Sequence, residues 1–130
     1  MGEAEVRAGV LVVEDQPVQL MAMSAALHEA GFEVAEAKGV DAAIAHLTAR
    51  PDIVAMVADV DLAGEPLTGF TLAKAVAARW PEVAILVVSG LASPTEDQLP
   101  MGAQFMPKLF SDEMLVNAAR RVIAARDIKL

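Results

Sequence analysis

A doubly wound α/β domain built on a five-stranded parallel sheet in the order 2-1-3-4-5 is the fold class the sequence predicts. Three observations lead to it: short apolar runs rich in β-branched residues recur along the chain, stretches with helical spacing separate them, and only five such runs are found. Val10 to Val13, Ile53 to Ala58 and Val83 to Val88 are nearly unbroken, as expected of strands covered on both faces. Two weaker strands, Phe32 to Ala37 and Gln104 to Lys108, complete the set. Alternation of strand and helix implies right-handed crossovers, and five strands suit this order better than the longer six-strand one. Strand five then lies at an edge, where Pro107, which lacks a ladder donor, is tolerated.

The helices have readable ends. The first runs from Pro17, a favoured first-turn residue, through Leu20, Met23, Ala26 and Leu27 to a stop at Gly31. The second is expected to start at Asp41 as N-cap and to carry Ile44 and Leu47 until Arg50-Pro51 ends it. A third begins near Thr68, includes Phe70, Leu72, Ala73 and Val76, and ends before Trp80-Pro81. Ser93, Pro94 and Glu96 form a capping signature, but Pro100 and Gly102 leave this fourth helix only about two turns, so it is shortened. The last helix opens with Ser111 as cap, places Asp112 and Glu113 at its positive end, and carries Met114, Leu115, Ala118, Val122 and Ile123.

At 130 residues the chain fits one domain, 1–130, with a core of about 8–126. An apolar content of 55% excludes the disordered class. The absence of cysteine removes disulfide scaffolds, thiolate zinc sites and cysteine nucleophiles. No apolar run approaches the ~20 residues of a membrane span, and the start Met1-Gly2-Glu3-Ala4-Glu5 lacks the basic region of a secretion signal, so a cytoplasmic location and no membrane contact are expected. A net charge of −8 disfavours direct binding to nucleic acid, and Arg120, Arg121 and Arg126 read as a solvated helix face.

In open α/β sheets ligands bind beyond the carboxyl ends of the strands. The residues that follow each apolar run are polar: Glu14 and Asp15 after strand one, Asp59 after strand three, Ser89 after strand four and Lys108 after strand five. Taken singly, each is an ordinary turn or cap residue; their joint placement on one sheet edge is the signal. Three carboxylates so close repel one another unless a cation sits among them, and a few carboxylate oxygens suit Mg²⁺ better than calcium or zinc. His28 and His46 fall at no strand end and read as helix residues. With Glu14 and Asp15 holding the metal, Asp59 is placed to attack phosphorus, Lys108 to offset the transferred charge, and Ser89 to donate to a phosphoryl oxygen for which Gly90 leaves space.

Val10-Leu-Val-Val-Glu-Asp15, Val57-Ala-Asp59-Val-Asp-Leu62, Val87-Val-Ser89-Gly90 and Phe105-Met-Pro-Lys108 together resemble the motifs of response-regulator receiver domains, the CheY-like, flavodoxin-like modules of bacterial two-component signalling, over essentially the whole chain. The resemblance implies a cytosolic phosphorelay switch and not an enzyme beyond phosphorylation and dephosphorylation of its own aspartate. It also implies Mg²⁺ or Mn²⁺ as cofactor, the main-chain carbonyl of Asp61 as a further metal ligand, and Phe105 as the aromatic that reports phosphorylation to the surface made by the fourth helix, strand five and the last helix. Its partners would be a sensor histidine kinase or a histidine phosphotransfer protein, with the receiver a monomer or weak dimer, standing alone or cut from a larger regulator.

Four departures from the family pattern stand out. Leu109 follows Lys108 where the family has a proline on a cis bond; a cis bond before leucine costs ~3 kcal/mol, so either the bond is trans with an altered loop or the site is strained. The loop from Asp61 to Thr68 is long and has Ala63 where a proline is common, the stretch between Ser89 and Lys108 is short, and the acidic side chain of Asp61 is expected at the pocket mouth. Two other readings were weighed. Asp59-Val-Asp61 also resembles the first motif of haloacid-dehalogenase-type phosphatases, but their acidic pair follows the lysine, whereas Glu14-Asp15 precedes everything here. A receiver-like interaction module that takes no phosphate would not need all five polar residues, and no Ser/Thr/Gly-rich loop follows strand one to hold a flavin phosphate.

Overall fold

The computed structural model describes residues 7–62, 69–90 and 98–127. The described chain runs β1 (Gly9–Val13), α1 (Pro17–Glu29), β2 (Glu33–Ala37), α2 (Val40–Ala49), β3 (Ile53–Asp59), α3 (Gly69–Arg79), β4 (Ala84–Ser89), β5 (Gln104–Pro107) and α4 (Asp112–Asp127). All strand pairs are parallel and the sheet order is β2-β1-β3-β4-β5, as the sequence predicts. The expected short helix at Ser93 falls mainly on residues outside the described ones. No described helix is long and apolar enough to cross a membrane.

The central strands β1, β3 and β4 read as continuous apolar runs because both of their faces are covered. Alternate side chains serve the two sides of the sheet. Leu11, Val13, Met56, Ala58, Ile85 and Val87 pack with Ala43 and Leu47 of α2 and Phe70, Leu72 and Val76 of α3. Val10, Val12, Ala55, Val57, Leu86 and Val88 pack with Leu20, Met23 and Leu27 of α1 and Leu115, Ala119 and Val122 of α4. The edge strands are more exposed, and Pro107 sits in β5, where its missing N–H faces no further strand.

The helix signals hold with one correction. Pro17 opens α1, and Ser111 caps α4 by accepting the Met114 N–H on its hydroxyl at 3.1 Å. Asp41 is not the N-cap of α2. The helix starts one residue earlier, at Val40, with extended Gly39 as its cap, so Asp41 lies in the first turn and contributes charge to the positive helix end instead. The Lys108–Leu109 bond is trans, since no peptide bond among the described residues is cis, and Leu109 takes φ 72°, a left-handed backbone that redirects the chain toward α4.

Leu11 is fully buried in the second strand of the sheet order. Leu11→Ala is expected to lower the unfolding free energy by about 3 kcal/mol, read by urea denaturation, through lost apolar transfer and the cavity left behind.

Candidate functional site

The backbone ladder aligns the strand ends. Beyond the Val13–Ala58 pair lie Glu14 and Asp59, and the Glu14 N–H continues the ladder toward β2 by donating to the Ala37 carbonyl at 2.9 Å. Asp59 pairs in register with Val88, one residue before Ser89. The Lys108 N–H donates to the Ser89 carbonyl at 2.8 Å, which extends the β4–β5 pairing past Pro107 and sets Lys108 beside Ser89. Four strand tips are thereby brought to one edge by main-chain pairing alone.

The side chains converge as the sequence predicts. Glu14 is fully buried and Asp59 only 2% exposed. Lys108 Nζ donates to Glu14 Oε1 at 3.1 Å and pairs with Asp59 Oδ2 at 3.3 Å. The second oxygen of each carboxylate meets a backbone donor, Gln16 N–H on Glu14 Oε2 and Asp61 N–H on Asp59 Oδ1, both at 3.2 Å. Carboxylate oxygens of Glu14, Asp15 and Asp59 lie within 4.8 Å of one another. Ser89, buried at the end of β4, donates its hydroxyl to Asp61 Oδ2 at 3.3 Å, so the acidic side chain of Asp61 does reach the pocket mouth.

The charges do not balance. Burial pushes the Asp59 carboxyl up to about 6; the negative charge of Glu14 adds to the rise, while the Asp61 N–H and Lys108 oppose it. Burial also works against the charge on Lys108, but its hydrogen bond to Glu14 and the charge of Asp59 outweigh that and hold its pKa above the ordinary lysine value. An all-oxygen donor set of three clustered carboxylates, two of them paired with Lys108, fits a hard divalent cation.

Other predicted residues lie further out. Phe105, two residues before Pro107 on β5, is half-buried and packs against the core on the α2 and α3 side. Gly90 is not demanded by close packing: a Cβ there would meet the Lys108 stem at 3.7 Å, an ordinary contact. His28 lies in α1, and His46 in α2 donates from Nε2 to the Glu36 carbonyl at 2.9 Å, both away from the cluster. Two residues escaped the sequence reading. Gly69 starts α3 against the end of β3, where an added Cβ would overlap the Asp59 carbonyl, and its N–H donates to the Val60 carbonyl at 3.0 Å. Gln19, in the first turn of α1, accepts from Lys108 Nζ at 2.6 Å. Its place in the helix that the acidic pair leads into was the available signal, but an uncharged side chain gave no reason to select it.

A family model described as the response regulator receiver domain matches residues 10–120. The chain belongs to the response regulator receiver family. Among solved structures, a response regulator receiver protein from Sinorhizobium medicae superposes with TM-score 0.84 at 23% identity, covering 92% of this chain and 97% of that one. The receiver domain of NtrX from Brucella abortus does so with TM-score 0.80 at 25% identity, covering 88% and 98%. Against the longer NtrX chain in complex with ATP the TM-score is 0.82 at 26% identity, with 93% of this receiver but only 28% of that chain covered. No curated protein matches the sequence. Receiver domains of this family usually bind Mg²⁺ at an acidic pocket, and Glu14, Asp15 and Asp59 form an acidic cluster here.

The raised pKa of Asp59 means that its ionised form opposes folding when no metal is present; this cost is fully expressed above pH ~6 and fades as pH falls toward the unfolded value near 4. In the presence of a chelator, Asp59→Asn is therefore expected to raise the melting temperature at pH 7.5 by roughly 3–6 °C, the shift that about 1 kcal/mol produces in a domain of this size. The gain is expected to shrink as the pH is lowered toward 4, measured by thermal scans at a series of pH values.

Proposed function

We propose that this receiver domain is a phosphoryl-accepting switch in which Asp59 is the acceptor, Glu14, Asp15 and Asp59 hold Mg²⁺ (or Mn²⁺) together with the main-chain carbonyl of Asp61, and Ser89 and Lys108 receive the transferred group. The observation that carries this reading is the meeting of a buried Asp59 with Glu14, Asp15 and Lys108 at one sheet edge, in a chain of the receiver family.

In the reaction an Asp59 carboxylate oxygen attacks phosphorus, the bond from phosphorus to the donor nitrogen or oxygen breaks, and the donor leaves with the electron pair. The ion, when bound, offsets negative charge on the phosphoryl oxygens. Lys108, already within 3.3 Å of Asp59, supplies the fixed positive charge from this chain. Ser89 starts with its hydroxyl on Asp61 and would exchange that acceptor for a phosphoryl oxygen, since a group bearing about −1.5 to −2 charges is the stronger acceptor. Exchange of partners at Ser89 and Lys108 moves the ends of β4 and β5, and Phe105 on β5 is the side chain placed to pass that shift to the surface. Water attack on the aspartyl phosphate returns the carboxylate and inorganic phosphate.

A sensor histidine kinase or histidine phosphotransfer protein is the donor this chemistry calls for. We take residues 1–130 as one receiver domain with its core at about 8–126. The Brucella abortus NtrX chain, of which the comparable part is a minor share, supports the view that a receiver of this kind can also work within a longer regulator.

Two measurements test the proposal. Acetyl phosphate with Mg²⁺ is expected to label the wild-type chain and leave Asp59→Asn unlabelled in intact-mass spectra; labelling of another residue in the variant would refute the acceptor. Mg²⁺ is expected to raise the melting temperature, by an amount corresponding to about 1.4 kcal/mol at ten times its Kd, and this gain is expected to be lost in Asp15→Asn.

A further inference from the structure

The ammonium of Lys108 has three N–H donors and no more. In this structure three side-chain oxygens lie within its reach: it donates to Glu14 Oε1 at 3.1 Å and to Gln19 Oε1 at 2.6 Å, and pairs with Asp59 Oδ2 at 3.3 Å. The shortest of these contacts is to the one neutral partner. That partner comes from α1, an element packed across the same layer as α4, and not from a strand tip.

The three contacts do not stand equally once the site is at work. Glu14, Asp15 and Asp59 would hold a divalent cation together, and Glu14, its charge shared with that ion, would then hold Lys108 less tightly. Esterification of Asp59 removes a carboxylate charge and puts a phosphoryl oxygen within reach of the same donor. Gln19 is unaffected by either event, because an amide carbonyl neither binds a hard cation in preference to carboxylates nor carries a charge to be neutralised. The lysine stem is flexible and the side chain is 19% exposed, so without a tether the ammonium can turn out to solvent.

We propose that Gln19 is a positioning residue: its carbonyl oxygen tethers the Lys108 ammonium at the mouth of the pocket, so that the charge stays within reach of Asp59 when metal and phosphoryl group weaken the other two contacts. This rests on the phosphoacceptor reading above and adds to it a residue on α1 whose effect is exerted only through Lys108. A tether of neutral charge suits the task, since a glutamate at position 19 would hold the ammonium but repel the incoming phosphoryl group.

The test is a double-mutant cycle on the full chain. Gln19→Ala is expected to slow labelling by acetyl phosphate and Mg²⁺ by roughly three- to tenfold, the range for loss of one net hydrogen bond at a partly exposed site, with the melting temperature little changed. In the Lys108→Ala background the same substitution is expected to change the rate by less than about twofold, because its target is gone. Gln19→Glu, which keeps the contact but adds a negative charge, is expected to slow labelling by repelling the phosphodonor while leaving Lys108 ordered. Independently of the reaction, relaxation of the Lys108 ¹³Cε signal in metal-free protein is expected to show a more mobile side chain in Gln19→Ala than in wild type. An unchanged labelling rate, an equal loss in both backgrounds, or an equally ordered Lys108 would each overturn the tether. Absence of any labelling in wild type would strike the phosphoacceptor reading instead, and the relaxation comparison would still decide the role of Gln19.

Discussion

Crowding of negative charge at the end of a buried sheet is the constraint on which the rest of this molecule depends. Three carboxylates with oxygens within 4.8 Å of one another repel by roughly 3 kcal/mol per pair at an effective dielectric of 20, and among the described residues the ammonium of Lys108 is paired with Glu14 and Asp59. Lys108 contacts two of them, so attraction offsets part of the repulsion but leaves an excess of negative charge in a site where Glu14 and Asp59 are almost wholly removed from water. Burial raises the pKa of Asp59, and the nearby charge of Glu14 adds to the rise. Added positive charge at this edge would relieve the remaining repulsion.

Lys108 comes from the edge of the sheet, so the compensation works only if the outermost strand is held accurately. Its backbone is fixed on one side by the Ser89 carbonyl and on the other by the turn into α4, where Ser111 caps the helix three residues later. Between them stands Leu109, fully exposed and with φ 72°. A leucine there costs something relative to glycine, but it lets a trans chain reverse direction within two residues.

Much of this was readable in the amino-acid order, for physical reasons that differ by element. The central strands could be found because a strand covered on both faces must be apolar at every position, and the site could be found because parallel strands all present their carboxyl ends to the same edge. The limits of legibility are equally specific. Asp41 has the side chain of a cap, but helix α2 begins one residue earlier, at Val40, behind an extended Gly39 that makes no side-chain cap. Gly69 is required by the approach of α3 to the Asp59 carbonyl, a contact across a loop that no local pattern encodes. The bond before Leu109 had two readings, and the tertiary path of β5 into α4 selected the trans one.

Gln19 carries this last point furthest. Pattern-based reading selects residues by the chemistry they could perform, and so finds the carboxylates, the hydroxyl and the amine, whose types announce a role. A residue that acts by holding another has no such mark: a glutamine in the first turn of a helix is unremarkable until the lysine, eighty-nine positions away in the sequence, is seen to reach it. Under the phosphoacceptor proposal the precision of the site then has two origins. Main-chain pairing sets the positions of the strand tips, and a neutral side chain from the helix above sets where the one mobile charge among them rests. The first is common to any parallel sheet, whereas the second depends on one residue of α1, which is where the behaviour of this receiver can differ from that of another with the same five polar residues.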